Sequence, residues 1–338
     1  MENKEILMSD INSVVEKLII TCELGKCVKE IQRVSGGLLN RMYKVNTEKG
    51  VFAIKLLNTE VMNRKEAKTN HIFAEKIANI AKDNKVKCLP AKIINSNVLQ
   101  QIDKYYFLIF DWFDGKTITD KEIKINECKK VAKELAKIHK IDYSKYKDEC
   151  KAYYDTNIVN WMYYFDKIDN KEIKELLIKN IELFNKLDKK AIESLDLISK
   201  NMVISHRDID LPNVLWNQDN ELVLIDWESA GLVNPVMEVI DTAWNWSGGQ
   251  KYFDIEKFNI FIETYKKHNG KLIDFEKALN ADYKAKFGWL EYNLKRICEI
   301  ECIDEEEKKL GESEVIRTID EINKFYQYYD EIKKIGEK

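Results

Sequence analysis

Proline is nearly absent, at 3 in 338 residues, and glycine is sparse at 12. That scarcity excludes collagen-like and low-complexity chains. Hydrophobic residues make up 45% of the sequence, too many for a chain that stays disordered. Neither charge is in excess: 55 Lys and Arg stand against 58 Asp and Glu, a formal net charge of −3. Without a basic surplus there is no footprint for nucleic-acid phosphates, so no nucleic-acid partner is expected. No uninterrupted apolar run approaches the roughly 18 residues of a spanning helix. The first ten residues (MENKEILMSD) are charged where an export signal would be apolar. The seven cysteines form no CxxC pair and are expected as reduced thiols. Cys298 and Cys302 lie one helical turn apart, half of a metal site with no His or second Cys pair at ligand spacing. These absences together predict a cytoplasmic protein without a membrane partner; a monomer or homodimer is expected.

A length of 338 residues predicts two domains, or one domain with two lobes. The first third has apolar and aromatic residues in rough alternation over 27–35 and 39–46, on either side of Gly36 and Gly37, which predicts a hairpin. Strands are further predicted over 51–57, 91–99 and 105–113, giving a small five-stranded antiparallel sheet. Between them, 59–82 lacks Gly and Pro and places Ile72, Phe73, Ile77 and Ile80 at helical spacing, predicting one helix. Asp114-Gly115 marks a turn, and the lobes are placed at 1–113 and 114–338. From about residue 119 long amphipathic stretches predict helices over 121–140, 155–200, 251–268, 274–300 and 313–333. One β-like island interrupts them at 203–205, 214–216 and 222–226. The acidic run 304–307 reads as a solvated loop.

That island holds the strongest signal in the chain. Residues 205–215 read SHRDIDLPNVL and 223–228 read VLIDWE, containing the pattern H-R-D-x-x-x-x-N. Phosphoryl transfer from a nucleotide needs a carboxylate to orient the attacking hydroxyl and accept its proton, plus oxygen ligands that hold Mg²⁺ against the phosphates. Asp208 and Asn213 supply both from one loop. The second metal carboxylate must come from a neighbouring strand, and Asp226 ends an apolar run 18 residues after Asp208. An Asp-rich turn between strands also matches H, D and N by chance, with Asp208 then only a turn cap. The upstream Phe52-Ala53-Ile54-Lys55 weighs against chance, because it resembles the strand that places a phosphate-binding lysine. Glu66 follows as a candidate ion-pair partner for Lys55, with Glu60 and Glu75 as alternatives. Ser35, Gly36 and Gly37 sit where a nucleotide-covering turn belongs, since glycine lets backbone N–H groups approach phosphate. A plain hairpin turn has the same composition. Phe110, Asp111 and Trp112 lie where a strand would cross into a linker and meet a purine edge.

With these parts in this order the chain resembles the aminoglycoside phosphotransferase and choline kinase family of small-molecule kinases. The carriers are the SGGLLN turn (35–40), Lys55, the LAKIH helix end (135–139), the SHRDIDLPNVLW loop (205–216) and the LIDWESAG segment (224–231). The resemblance implies an α+β, protein-kinase-like two-lobed fold, with a nucleotide-binding N-terminal lobe and a larger, mainly helical lobe for catalysis and substrate. It implies Asp208 as catalytic base, Asn213 and Asp226 as Mg²⁺ ligands, and Lys55 as the phosphate contact stabilised by Glu66. ATP or GTP is then the phosphate donor, and His206 a scaffold residue. Arg207 stands where many members carry Gly, and Glu238 where many carry Asp.

The acceptor implied is a small molecule bearing a hydroxyl, an aminoglycoside-like aminated sugar or an amino alcohol. A cationic acceptor needs a carboxylate-lined cleft, for which Asp210, Glu228, Glu238, Asp241, Glu263, Glu291, Glu299 and Glu301 are candidates. A quaternary ammonium such as choline would want an aromatic cage, for which Trp161, Tyr163, Tyr164, Trp244, Trp246, Trp289 and Tyr292 are candidates, or else core residues. A catalytically silent, spore-coat-like member of the family is the remaining alternative.

Overall fold

The computed structural model describes residues 2–34, 40–146, 156–302 and 305–338. Contacts divide the chain into two compact units, Met1–Thr117 with Pro212–Ala230, and Ile118–Leu211 with Gly231–Lys338.

In the first unit, helix α1 (Glu2–Thr21) precedes five antiparallel strands: β1 (Gln32–Val34), β2 (Arg41–Thr47), β3 (Gly50–Leu56), β4 (Gln100–Ile102) and β5 (Tyr105–Asp111). Their order is β1-β2-β3-β5-β4. Alternate side chains of a strand point to opposite faces, and the sheet uses both. One face stacks Tyr43, Val45, Phe52, Ile54, Phe107 and Ile109 against α1, which contributes Ile11, Val14, Val15, Leu18 and Ile19 at helical spacing. The other face buries Ala53, Leu108 and Phe110 with Leu57, Met62, Ala67 and Ala91. Lys55 shares the parity of Ala53, and so emerges on this second face, paired in register with Leu108 and Met42.

The helix predicted over 59–82 forms as two, α2 (Thr59–Met62) and α3 (Ala67–Asp83). The Asn58 side chain caps the first by accepting from Glu60 and Val61 N–H, and Asn63 closes it after one turn. The strand predicted over 91–99 is displaced to β4. Asn95 and Ser96 hold left-handed φ of 51° and 64°, and Ile94 and Asn97 close that turn backbone to backbone. Tight turns of this kind favour Asn and Ser.

A hairpin of Val214–Trp216 and Leu222–Leu224 belongs to the first unit as well. Backbone bonds tie both its strands there: Trp216 exchanges hydrogen bonds with Lys116, and Leu224 bonds to Lys87 and Leu89. A single cut at 113/114 does not capture that arrangement.

The second unit is helical: α4 (Ile125–Ile138), α5 (Trp161–Phe165), α6 (Lys171–Ile198), α7 (Pro235–Trp246), α8 (Gly249–Tyr252), α9 (Ile255–Lys267), α10 (Phe275–Ile297), α11 (Glu305–Gln327) and α12 (Tyr329–Glu337). Helices α6 and α10 pack through Phe184 and Phe287, joined by Trp161 with ring centroids 5.3–5.6 Å apart. Helix α7 starts with Pro235 at its first turn and the Asn234 side chain accepting from Val236 and Met237 N–H. Both are standard start signals. A short ladder pairs Val203–Ser205 with Gly231–Val233. Among the described residues no helix is long and apolar enough to cross a membrane, and six cysteines are free thiols.

Candidate active site

In the first unit, β3 carries Lys55 to a point where two carboxylates meet it. The Lys55 ammonium donates to Asp226 Oδ1 at 2.8 Å and to Glu228 Oε2 at 2.9 Å. Its side chain is 8% exposed, and those of Asp226 and Glu228 are 32% and 36% exposed. Burial alone would depress the lysine, but the two carboxylates overcome it and hold Lys55 above its ordinary value.

Asp226 reaches this position through unusual backbone. It follows the last hairpin strand with φ 60° and ψ 64°, left-handed values that cost a non-glycine residue about 1–3 kcal/mol. Ile225 N–H donates to the Asn213 carbonyl at 3.0 Å, which fixes Asn213 beside the strand end that carries Asp226. The predicted pair is thus brought together by the hairpin's register, Val214 opposite Leu224.

The sequence points to Glu66 as the partner of Lys55, whereas the structure gives that place to Asp226 and Glu228. Glu66 stands at the N-terminal cap of α3 rather than inside a helix. It lines a depression of about 530 Å³ with Asn40, Arg64, His71 and Glu228, while the carboxylates bonded to Lys55 are Asp226 and Glu228. The available signal was the Asp-x-Glu spacing of 226–228. Asn40 Nδ2 donates to Glu228 at 3.2 Å, and Asn40 Oδ1 accepts from Asn58 N–H. Deeper on α3, Glu75 is 4% exposed and accepts from Ala91 N–H at 2.7 Å. Burial pushes its carboxyl up to about 7, with Asp226 and Glu228 adding to the rise and Lys55 opposing it.

The remaining first-unit candidates lie along β5. Phe110 is buried opposite Ala53, Asp111 pairs with Lys92 at 2.7 Å, and Trp112 N–H donates to Val51. The Lys44 ammonium lies 4.1 Å from the Trp112 ring centroid. Ser35, Gly36 and Gly37 lie outside the described residues.

In the second unit, the loop that carries Asp208 is anchored just before it. Arg207 has φ 67°, and its backbone N–H donates to Glu238 Oε1 at 2.7 Å. Glu238 Oε2 meets His139 Nε2 at 2.7 Å, and His139 Nδ1 meets the Tyr265 hydroxyl at 2.7 Å. Both the His139 and Glu238 side chains are nearly inaccessible, at 3% and 5%. Burial would raise Glu238, but His139 and the Arg207 N–H hold it below the usual carboxylate range. The Arg207 side chain lies against Gly231, where a Cβ would come within 2.9 Å of Nη1, so a larger residue there would displace it.

Next to Asp208 is a run of acids. The Asp210 carboxylate accepts from Asn245 Nδ2 at 2.6 Å and is raised by burial and by the charges of Asp241 and Asp208. The buried Lys286 ammonium meets Asp241 at 2.9 Å, Asp282 at 3.1 Å and Glu321 at 3.7 Å. Asp241 is 44% exposed. Of the aromatic candidates, Trp161, Trp244 and Trp246 are at most 1% exposed and belong to the core, whereas Tyr163 and Trp289 are 45% and 40% exposed.

The donor set suits Mg²⁺, a hard cation held by oxygen through one or two carboxylates plus substrate phosphates. Asp226 supplies a partly exposed carboxylate and Asn213 an amide oxygen on the adjoining segment. Among the described residues no cluster of three or more His, Cys, Asp or Glu could form an all-protein metal cage.

The family model described as "Phosphotransferase enzyme family" matches residues 30–267. No curated protein sequence matches the chain. Among solved structures it is similar to spectinomycin phosphotransferase APH(9)-Ia in complex with ADP and spectinomycin, at 14% identity over 95% of this chain and 96% of that one, TM-score 0.61. It is also similar to a Plasmodium vivax ethanolamine kinase, at 16% identity over 86% and 81%, TM-score 0.56. A choline kinase from Cryptosporidium parvum Iowa II follows at 15% identity over 89% and 90%, TM-score 0.56. At these identities the likeness establishes a kinase-like fold.

Proposed function

This chain belongs to the phosphotransferase enzyme family, and from that premise we propose that it is a Mg²⁺-dependent kinase transferring the γ-phosphate of ATP or GTP to a hydroxyl of an aminoglycoside-like aminated sugar. The observation that carries the reading is the Lys55–Asp226 ion pair, with Asn213 held beside the strand that ends at Asp226. A buried lysine kept charged by two partly exposed carboxylates is poised to exchange one of them for a phosphate. When bound, Mg²⁺ neutralises charge on the transferring phosphoryl group, and Asn213 and Asp226 are the residues that would hold it.

Asp208 takes the role of base, aligning the acceptor hydroxyl and accepting its proton. Its neighbours support a cationic acceptor. Asp208, Asp210, Asp241, Asp282 and Glu321 outnumber the cations Lys286 and Arg317 placed among them. A protonated amine gains from such a surplus of negative charge. The loss of Trp161, Trp244 and Trp246 to the core weakens the choline-cage alternative.

The test is a coupled ADP and GDP release screen with Mg²⁺ against aminoglycosides, choline, ethanolamine, macrolides and neutral sugars. Acceptor-dependent release confined to amine-bearing acceptors is the expected result. Release with neutral sugars alone overturns the acceptor assignment. No release with any acceptor overturns the kinase reading and leaves the catalytically silent alternative.

A further inference from the structure

A second charged feature lies in the helical unit, apart from the acidic run near Asp208. Helix α4 buries Cys128, Val131, Ala132 and Leu135 and turns Lys129, Lys133 and Lys137 outward at intervals of four residues. Helix α9 buries Phe258, Phe261, Ile262 and Tyr265, leaving Ile260, Glu263, Thr264 and Lys267 on its other side. Residues four apart on a helix share one face, so each helix presents a stripe. The two helices together line a cleft of about 430 Å³, with Lys129, Lys130 and Lys133 from α4 and Glu263, Lys267 and His268 from the end of α9; Lys137, beyond it, is paired with Glu134.

The cleft concentrates one sign of charge. Four lysines and one carboxylate, Glu263, line its walls, and Glu263 accepts from Asn259 Nδ2 at 2.9 Å. The whole chain has a net charge of −3, so this face runs against the average. His268, closing α9, senses the field: burial, then Lys133, Lys140, Lys267 and Lys137, hold its ring below the ordinary value. Mutual repulsion among these ammonium groups is relieved when an anion sits between them. A volume of this size matches small-ligand clefts of roughly 300–1,000 Å³. The concavity, with three lysines of α4 set across from Lys267 and His268, fits a compact oligophosphate better than a flat bilayer.

We propose that the α4–α9 cleft is a binding site for an oligophosphate anion, separate from the nucleotide-phosphate contact at Lys55. The probe is inorganic tripolyphosphate added to the full chain, read by calorimetry and by the His268 imidazole resonances. Lys55→Met serves to remove the other phosphate contact, and the double variant Lys129→Glu with Lys133→Glu reverses one wall. The proposal expects saturable binding that survives Lys55→Met, raises the apparent His268 pKa, and weakens by about tenfold or more in the double variant, as several exposed charge pairs turn from attraction to repulsion. Binding should also weaken as ionic strength rises from about 0.05 to 0.2 M, because the Debye length shortens over that range. Binding that is abolished by Lys55→Met, or is unaltered by the double reversal, overturns it. So does retention on phosphatidylglycerol vesicles with His268 unmoved by tripolyphosphate.

Discussion

Glu238 offers the sharpest test of how the loop before Asp208 is held. Its two oxygens are both committed, one to Arg207 N–H at 2.7 Å and the other to His139 Nε2 at 2.7 Å. Replacing it with alanine leaves the part-buried Arg207 N–H and the buried His139 ring nitrogen without this partner. Each orphaned group costs about 1–3 kcal/mol, so Glu238→Ala should lose roughly 2–6 kcal/mol, against about 5–15 kcal/mol of total stability. At about 2–4 °C per kcal/mol for a unit of this size, thermal denaturation should show a fall of roughly 5–20 °C. Glu238→Gln keeps an acceptor for Arg207, and its amide can donate to His139 Nε2 if the ring carries its proton on Nδ1 and donates to Tyr265. It should cost only about 1 kcal/mol. Because the folded-state pKa of Glu238 is depressed below 4.5, its ionic contribution is present above that pH and is lost as pH falls through the lower folded value. The gap between wild type and Glu238→Gln should therefore close in acid. In the ADP-release assay Glu238→Ala should lower kcat by tenfold or more, since misplacing a reacting group by about 1 Å can cost 10²-fold. Nucleotide KM should hold, as Lys55 and Asp226 belong to the other unit. A Glu238→Ala protein with wild-type Tm and kcat would refute the anchoring role.

Three further outcomes are expected. Asp208→Asn should lose at least about a hundredfold in turnover while nucleotide binding, followed by fluorescence of a labelled analogue, is retained; wild-type turnover removes Asp208 from its role. Lys55→Met should weaken nucleotide affinity by about tenfold or more, with less than about 2 kcal/mol lost in denaturant melts, because its carboxylate partners are about one-third exposed and rehydrate; unchanged affinity excludes the phosphate contact. Glu75→Gln probes the buried carboxyl on α3, whose folded pKa of about 7 lies above its ordinary 4.5. That contribution is fully present below 4.5 and is lost as pH rises through 7, up to about 3 kcal/mol. Wild type should therefore lose Tm relative to Glu75→Gln between pH 5 and 8, and parallel pH profiles would refute the assignment.

Candidate residues whose chemistry admits few substitutes stand out in the chain itself. Lys55 at alternate parity on an apolar strand, and the pattern from His206 through Asn213 to Asp226, each demand one residue type at one spacing. The hairpin that unites Asn213 with Asp226 followed from the β-like runs around Pro212 and Asn220. Partner choice was not legible. Any of 58 acidic residues can satisfy a lysine, and helical position favours Glu66, whereas the pairing falls to Glu228, two residues past a left-handed Asp226. Nothing in a linear pattern announces that backbone. Helix α1 is hidden in the sequence for a related reason: its charged beginning masks a buried stripe of Ile11, Val14, Val15, Leu18 and Ile19 that becomes apparent only once a sheet face exists to receive it. Likewise the break between α2 and α3 turns on an Asn58 side-chain cap worth about 1 kcal/mol, small beside the periodicity of a 24-residue window but decisive locally. His139 and Glu238, 99 positions apart, show the same limit from the other side. Their residue types were visible, but only the packing of α4 against α7 and α9 turns a helix-end histidine and a buried glutamate into a clamp on the backbone next to Asp208. Local chemistry thus names the atoms that can react, while the long-range pairs that aim and neutralise them are decided by which faces the helices bury.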